Sequence, residues 1–270
     1  MVVGKGFLKT AWVTDRTEII RAQASNPLKL LCPRRSQTAW VYTTTFGGGL
    51  VAGDHIDLNL EIGDGTSCVL TSQSSTKVYK CPQGQTTRQT TQVAIGEEAL
   101  LVIAPDPMTC FAGSRYQQEQ RLDLAKTASL VLVDWLTSGR RARDECWKFS
   151  RYSSQIDLRR ADQRIFFESL LLDPIDGPLN SPYRLGKFHC MALLVLVGPI
   201  VQQAAEAILS EISNQPIEPG IPLIQAVSEI PGGIVLRIMG CETEQVSYVL
   251  QERLDFLLSW IGEGPWSRKW

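Results

Sequence analysis

The segment with the most unusual chemistry runs YTTTFGGGLVAGD over residues 42–54. Gly47, Gly48, Gly49 and Gly53 place four glycines within seven positions, which permits positive φ and close approach of another backbone. The amides of such a loop can cradle an anion or line a passage; a tight bend between two strands is the plainer alternative. Asp54 closes the loop, and Asp57 and Glu61 follow on one face of the alternating stretch HIDLNLEI. At a rise of about 3.3 Å per residue they stand about 13 Å apart. That is too far for a shared metal ion or an acid–base pair. It suits either a string of weak, hard oxygen ligands or a solvated strand face, and Asp54 joins Asp57 only if the Gly53 bend folds back. Glu168 lies inside RIFFESLLL, where an acid is costly without a partner.

Nucleophilic catalysis finds little support. A serine or cysteine nucleophile wants an imidazole base, and His55 and His189 are the two histidines. His189 adjoins Cys190, but neighbours on a strand point to opposite faces. The seven cysteines (Cys32, Cys68, Cys81, Cys110, Cys146, Cys190 and Cys241) are scattered and form no C-x-x-C, so neither a zinc ribbon nor a redox pair is indicated. Phosphate-loop, H-E-x-x-H, G-x-S-x-G and dinucleotide signatures are missing. With 27 basic against 28 acidic side chains, the chain lacks the basic surplus of a nucleic-acid binder. The first residues carry no secretory apolar stretch, and the longest apolar run, MALLVLV at 191–197, is too short to cross a bilayer. A cytoplasmic protein with reduced thiols is expected, with no membrane or nucleic-acid partner.

The elements that must position these residues are mainly β. At 270 residues the chain is one large domain or two small ones. From residue 37 to 172, strands are expected at 56–62, 66–72, 86–95, 99–103, 116–124, 129–136 and 164–172, with gaps too short for crossover helices. A repeat emerges on alignment by the turns: IGDGTSCVL from Ile62, IGEEALLVI from Ile95, LAKTASLVL from Leu124 and LRRADQRIF from Leu158, spaced 33, 29 and 34 residues apart. Such spacing fits coiled, stacked strands, a β-helix-like body in which each unit buries its face on the next. A sandwich of recurring hairpins is the alternative. LDPIDGPLNSPY at 172–183 is a loop or linker. Beyond it the pattern is α/β: a strand at 189–197, a helix with its apolar stripe from Ile200 to Ile212, strands at 222–229 and 233–238 around Pro231-Gly232-Gly233, and a helix starting near Glu242 or Thr243 and running to Ile261. The division expected is a β-rich body over 1–172 and a small α/β portion over 183–270 carrying two helices on one side of its sheet. The two are expected to share an interface or form one continuous domain.

Five segments in order carry a resemblance: PLKLLCP at 27–33, YTTTFGGGLVAGD at 42–54, SSTKVYK at 74–80, FAGSRY at 111–116 and DWLTSGRRARDECWKF at 134–149. Together they resemble the urease accessory protein D family, over about residues 27–200, in spellings nearer its eukaryotic branch. Met108-Thr109-Cys110 departs from the family pattern, which has valine before the threonine. The resemblance implies a non-enzymatic chaperone that works with accessory proteins F and G on the urease apoprotein. It implies a mostly β fold whose internal tunnel carries nickel in transit, with no tightly bound cofactor. Gly47, Gly48, Gly49, Gly53 and Asp54 match the family's glycine loop, and Thr76, Lys77 and Tyr79 its next motif. Asp54, Asp57, Glu61 and Glu168 are candidate transient tunnel carboxylates on chemical grounds alone.

A conduit and a store differ in their ligands. Nickel held by several imidazoles or thiolates leaves slowly, whereas isolated carboxylates, carbonyls and water release it readily. Two histidines suit passage, and suit equally a scaffold that touches no metal. A different class, a carbohydrate-active β-solenoid, would use Asp54 and Asp57 as acids and Trp40, Trp135 and Trp147 as sugar platforms, with paired carboxylates in an open groove.

Overall fold

The computed structural model describes residues 3–34, 37–218 and 220–267. The strands of the first half are β1 (Val3–Val13), β2 (Arg16–Ala24), β3 (Leu28–Leu31), β4 (Ala39–Thr45), β5 (His55–Ile62), β6 (Ser67–Ser72), β7 (Lys77–Val78), β8 (Thr87–Ile95) and β9 (Leu100–Ile103). Then come β10 (Met108–Cys110), β11 (Arg115–Leu124), β12 (Ser129–Thr137), β13 (Arg151–Arg160), β14 (Gln163–Leu172), β15 (Cys190–Val197), β16 (Leu223–Ile230) and β17 (Gly233–Gly240). The helices are α1 (Gln202–Ile212), α2 (Thr243–Leu254) and the short α3 (Leu258–Ile261). One sheet has the order β14-β13-β11-β8-β5-β1-β2; the other runs β16-β17-β15-β12-β9-β6-β4-β3, with β7 and β10 beside it.

Between β4 and β13 the chain coils. Each turn lays one strand in each sheet: β4 then β5, β6 then β8, β9 then β11, β12 then β13. Within each sheet these strands pair in parallel, whereas recurring hairpins would pair antiparallel. Ile62 stands beside Ile95 and Ile95 beside Leu124, as the repeat requires. The fourth copy is two residues out: Leu158 pairs with Leu122, not Leu124. The turns are stitched by side chains, with Asp64 Oδ1 accepting from the Glu97 amide at 2.8 Å and Glu97 Oε2 from the Thr127 amide at 2.9 Å.

Parallel stacking turns each inward position into a row. Leu8, Leu60, Val93, Leu122, Leu158 and Phe166 form one across the first sheet, all buried. Val41, Leu70, Ile103, Leu132, Val195 and Val235 form another across the second, facing it. The last two of these come from β15 and β17. The C-terminal strands therefore do not make a small sheet of their own. β15 pairs antiparallel with β12 along its whole length and extends the second sheet. On that sheet's far face Val131, Val133, Leu194, Leu236 and the apolar sides of α1 and α2 make a second core. The final helix expected to run to Ile261 is broken by a 3-10 turn at Asp255–Leu257. The outer face of the first sheet is polar and laced with ion pairs such as Lys9–Glu61 at 2.8 Å.

Three strands before residue 37, the short β10 and β13 escape the pattern reading. In β1 the inward positions begin with Gly4 and Gly6, which hide the alternation. A Cβ at Gly6 would lie 2.6 Å from Leu28 Cδ2 and 2.7 Å from Leu58 Cδ1, so close packing excludes a larger residue. In β13 an inward Ser154 interrupts the apolar period.

Leu122 is fully buried at the centre of its row, so Leu122→Ala should cost about 2–5 kcal/mol in urea unfolding. Its neighbour Arg121 pairs with Asp123 on the open face, and Arg121→Ala should leave the unfolding midpoint in urea nearly unchanged.

Candidate functional site

The structure brings the glycine loop and the 76–79 motif together. Phe46–Gly48 form one 3-10 turn, with Gly47 and Gly48 at φ 76° and 69°. The chain then runs parallel to β7: the Leu50 amide donates to Lys77 O at 2.7 Å and the Tyr79 amide to Leu50 O at 2.9 Å. Gly49 is the point of closest approach. A Cβ there would stand 2.6 Å from Lys77 O and 2.7 Å from Tyr79 Cε2, whereas one at Gly48 would meet open space. The Tyr79 ring packs edge-on against Phe111 at 5.3 Å, and the Thr76 carbonyl accepts from the Thr109 amide at 2.9 Å.

Asp54 serves this turn. Its Oδ2 accepts from the Val51 amide at 2.9 Å, and its carbonyl from the Arg88 amide. Gly53, at φ 82°, makes the bend without bringing Asp54 onto Asp57. Asp57 and Glu61 alternate with the buried Ile56, Leu58, Leu60 and Ile62, so both lie on the outer face of the first sheet. There Asp57 pairs with His55 Nε2 at 2.9 Å and Glu61 with Lys9. The reading of these two as carboxylates of an interior passage is corrected by that alternation.

Between the sheets the inward rows turn polar toward the glycine-loop end. Gln89, Gln118 and Ser154 form one row, with Thr87, Tyr116 and Tyr152 next to it. Asp134 faces them from β12. Its Oδ2 accepts from Gln118 Nε2 at 3.1 Å and Ser154 Oγ at 3.0 Å, while Tyr116 Oη donates to Gln89 and Gln118 at 3.3 Å. Burial pushes the Asp134 carboxyl above its ordinary value; the Gln118 and Ser154 hydrogen bonds oppose this and nearby Glu168 adds to it. Burial likewise holds the Tyr116 and Tyr152 hydroxyls protonated.

Two cavities share Asp134 and Trp135 in their walls. One, of about 90 Å³, extends to Gly48, Ser74, Ser75 and Thr76. The other, of about 130 Å³, extends to Glu168 and Arg237. Glu168 is the one candidate carboxylate that faces inward on this side, and its partner is Arg237 of β17, at 2.5 Å. Asp134, Leu193 and Arg237 occupy one row of the second sheet. Sequence reading missed Asp134, although SLVLVDWLT carries the same signal that singled out Glu168: an acid in an apolar strand.

The tryptophans named as sugar platforms cannot serve as such. Trp40, Trp135 and Trp147 are 0 %, 6 % and 2 % exposed, so none offers a stacking face. Among the described residues no three His, Cys, Asp or Glu side chains gather as a metal cluster, and no helix is long and apolar enough to cross a membrane.

The profile of the UreD urease accessory protein family matches residues 3–270. The chain is similar to the urease accessory protein UreD of Sorangium cellulosum, 42 % identical over 269 residues that span 99 % of this chain and 84 % of the relative. It is also similar to the urease accessory protein D of Arabidopsis thaliana, 32 % identical over 297 residues covering 99 % and 100 %, and to that of Oryza sativa subsp. japonica, 32 % identical over 290 residues covering 97 % and 94 %. With a match across nearly its whole length and relatives of this name in both plants and Sorangium, the chain belongs to the UreD family of urease accessory proteins.

Proposed function

We propose that the chain serves urease maturation as a non-catalytic scaffold and nickel conduit, acting in the cytoplasm with accessory proteins F and G on the urease apoprotein. One observation carries the conduit: a half-buried carboxylate, Asp134, in the shared wall of two cavities, hydrogen-bonded by the neutral Gln118 and Ser154. A divalent cation there gains one anionic donor and several neutral oxygens, enough to admit it and too few to retain it. Glu168, in the wall of the second cavity, is the next acceptor. The glycine-loop end of the first cavity supplies the opposite mouth, and the apposed 46–51 and 77–79 segments give a defined surface for a partner. Seven free cysteines suit a reducing compartment.

Deleting the gene should abolish urease activity, with partial rescue by excess nickel; unchanged activity would refute the assignment. Asp134→Asn should lower urease activation about tenfold or more, the scale of losing a metal-handling group, while protein F still co-purifies. The same variant should melt at a higher temperature than the parent at about pH 7. Because burial raises the folded-state pKa above the ordinary 3.8, the native state loses stability as pH rises through that raised value; the two melting curves should converge below 3.8. Glu168→Gln should likewise impair activation without loss of protein F, and loss of both would mark the residue as structural. Gly49→Leu, which drives a side chain into Lys77 O and Tyr79, should abolish activation.

A further inference from the structure

The second histidine stands apart from the interior passage. His189 points Nδ1 at two groups of the loop after β12: Ser138 Oγ at 3.3 Å and Cys146 Sγ at 3.3 Å. The backbone builds this approach. The Ser138 amide donates to His189 O at 2.7 Å, the Trp147 amide to Ser138 O at 2.6 Å, and the Trp147 indole to Phe188 O at 2.9 Å. Asp144 and Trp147 hold left-handed φ of 54° and 55° on either side of the cysteine, a strained conformation that persists only when its surroundings enforce it.

Burial and the nearby Arg141 guanidinium hold His189 below the usual imidazole range, against an opposing pull from Glu242, so the ring is neutral near pH 7 and can accept a proton. Arg141 also lies within electrostatic reach of the Cys146 sulfur. The other thiols differ. Burial pushes Cys68, Cys110 and Cys190 up to about 12, and Cys190 sits in the helix-side core, away from its neighbour His189. Cys81 is buried, and burial raises Cys32. Cys146 is half-buried and has an imidazole in hydrogen-bonding range.

We propose that Cys146 is a thiol-modification site, with His189 as its proton acceptor, that reacts with low-molecular-weight disulfides. His189 Nδ1 takes the thiol proton, and Cys146 Sγ attacks one sulfur of the disulfide. The new S–S bond forms as the old one breaks; the departing small thiolate recovers the proton from the imidazolium. Cys146 is oxidised to the mixed disulfide and the released thiol is the reduced product. The adduct would stand next to Glu145, whose carboxylate accepts from the Ala112 amide at 3.1 Å and from Arg140 Nε at 2.9 Å. Arg140 in turn lies 4.0 Å over the Phe111 ring, which packs against Tyr79. Modification thus bears on a loop tied to the glycine-loop surface.

The test treats the intact protein with oxidised glutathione near neutral pH and follows each cysteine by peptide mass spectrometry. Cys146 should take up glutathione about tenfold faster than the other half-buried thiols, Cys32 and Cys241, and His189→Gln should slow it about tenfold. Equal or slower reaction of Cys146 in the parent protein overturns the proposal, as does an unchanged rate in a folded His189→Gln variant. If that variant fails to fold, the comparison among thiols of the parent decides alone.

Discussion

Parallel, in-register stacking is the constraint from which the rest of this structure follows. Each coil lays its strand beside the equivalent strand of the coil before it, so residues 29 or 33 positions apart become nearest neighbours in the sheet. An inward leucine is therefore stacked on other inward aliphatic residues, and each buried side chain of that size contributes about 1.5–3 kcal/mol. The same rule propagates polarity. Once Gln89 faces inward, Gln118 and Ser154 stand beside it, and the three make a continuous polar strip within an otherwise apolar interior. Buried polar groups persist only when hydrogen-bonded, and here they satisfy one another together with Tyr116 and Asp134.

Asp134 is where that arrangement runs against stability. Hydrogen bonds from an amide and a hydroxyl only partly offset its desolvation. Carboxylates with such raised values cluster at functional sites. The C-terminal strands complete the setting. By continuing the second sheet past β12 they carry Arg237 into the row of Asp134 and across from Glu168, setting an ion pair at the edge between the sheets.

Much of this architecture was legible in residue order. Alternation in 56–62 and the spacing of Ile62, Ile95 and Leu124 announced stacked strands, because a half-buried strand and a repeated turn each leave a periodic trace. The N-terminal strands left none, since glycines occupy the inward positions of β1 where the sheets crowd together. The fourth repeat stands two residues from the register its spacing suggests, because Leu158 and the turn after it offer no motif as sharp as the earlier ones. Within the site, the glycine loop and the 76–79 motif were visible by type, and Glu168 by its misfit in an apolar strand.

What the sequence by itself determined was the class of fold, the family and the scarcity of histidine. The fold class follows from the period of the apolar residues and the family from motifs in order, both of which are properties of residue order. Which carboxylates face the interior was decided only by tertiary structure. Asp134 and Glu168 stand out in apolar strands and Asp57 and Glu61 sit in an alternating one, but only the packing of the second sheet puts the first pair between the sheets and the second on the outer face. A strand's two faces are equivalent until a second sheet packs on one of them, and so are a cysteine and a histidine 43 residues apart until a fold sets Cys146 against His189.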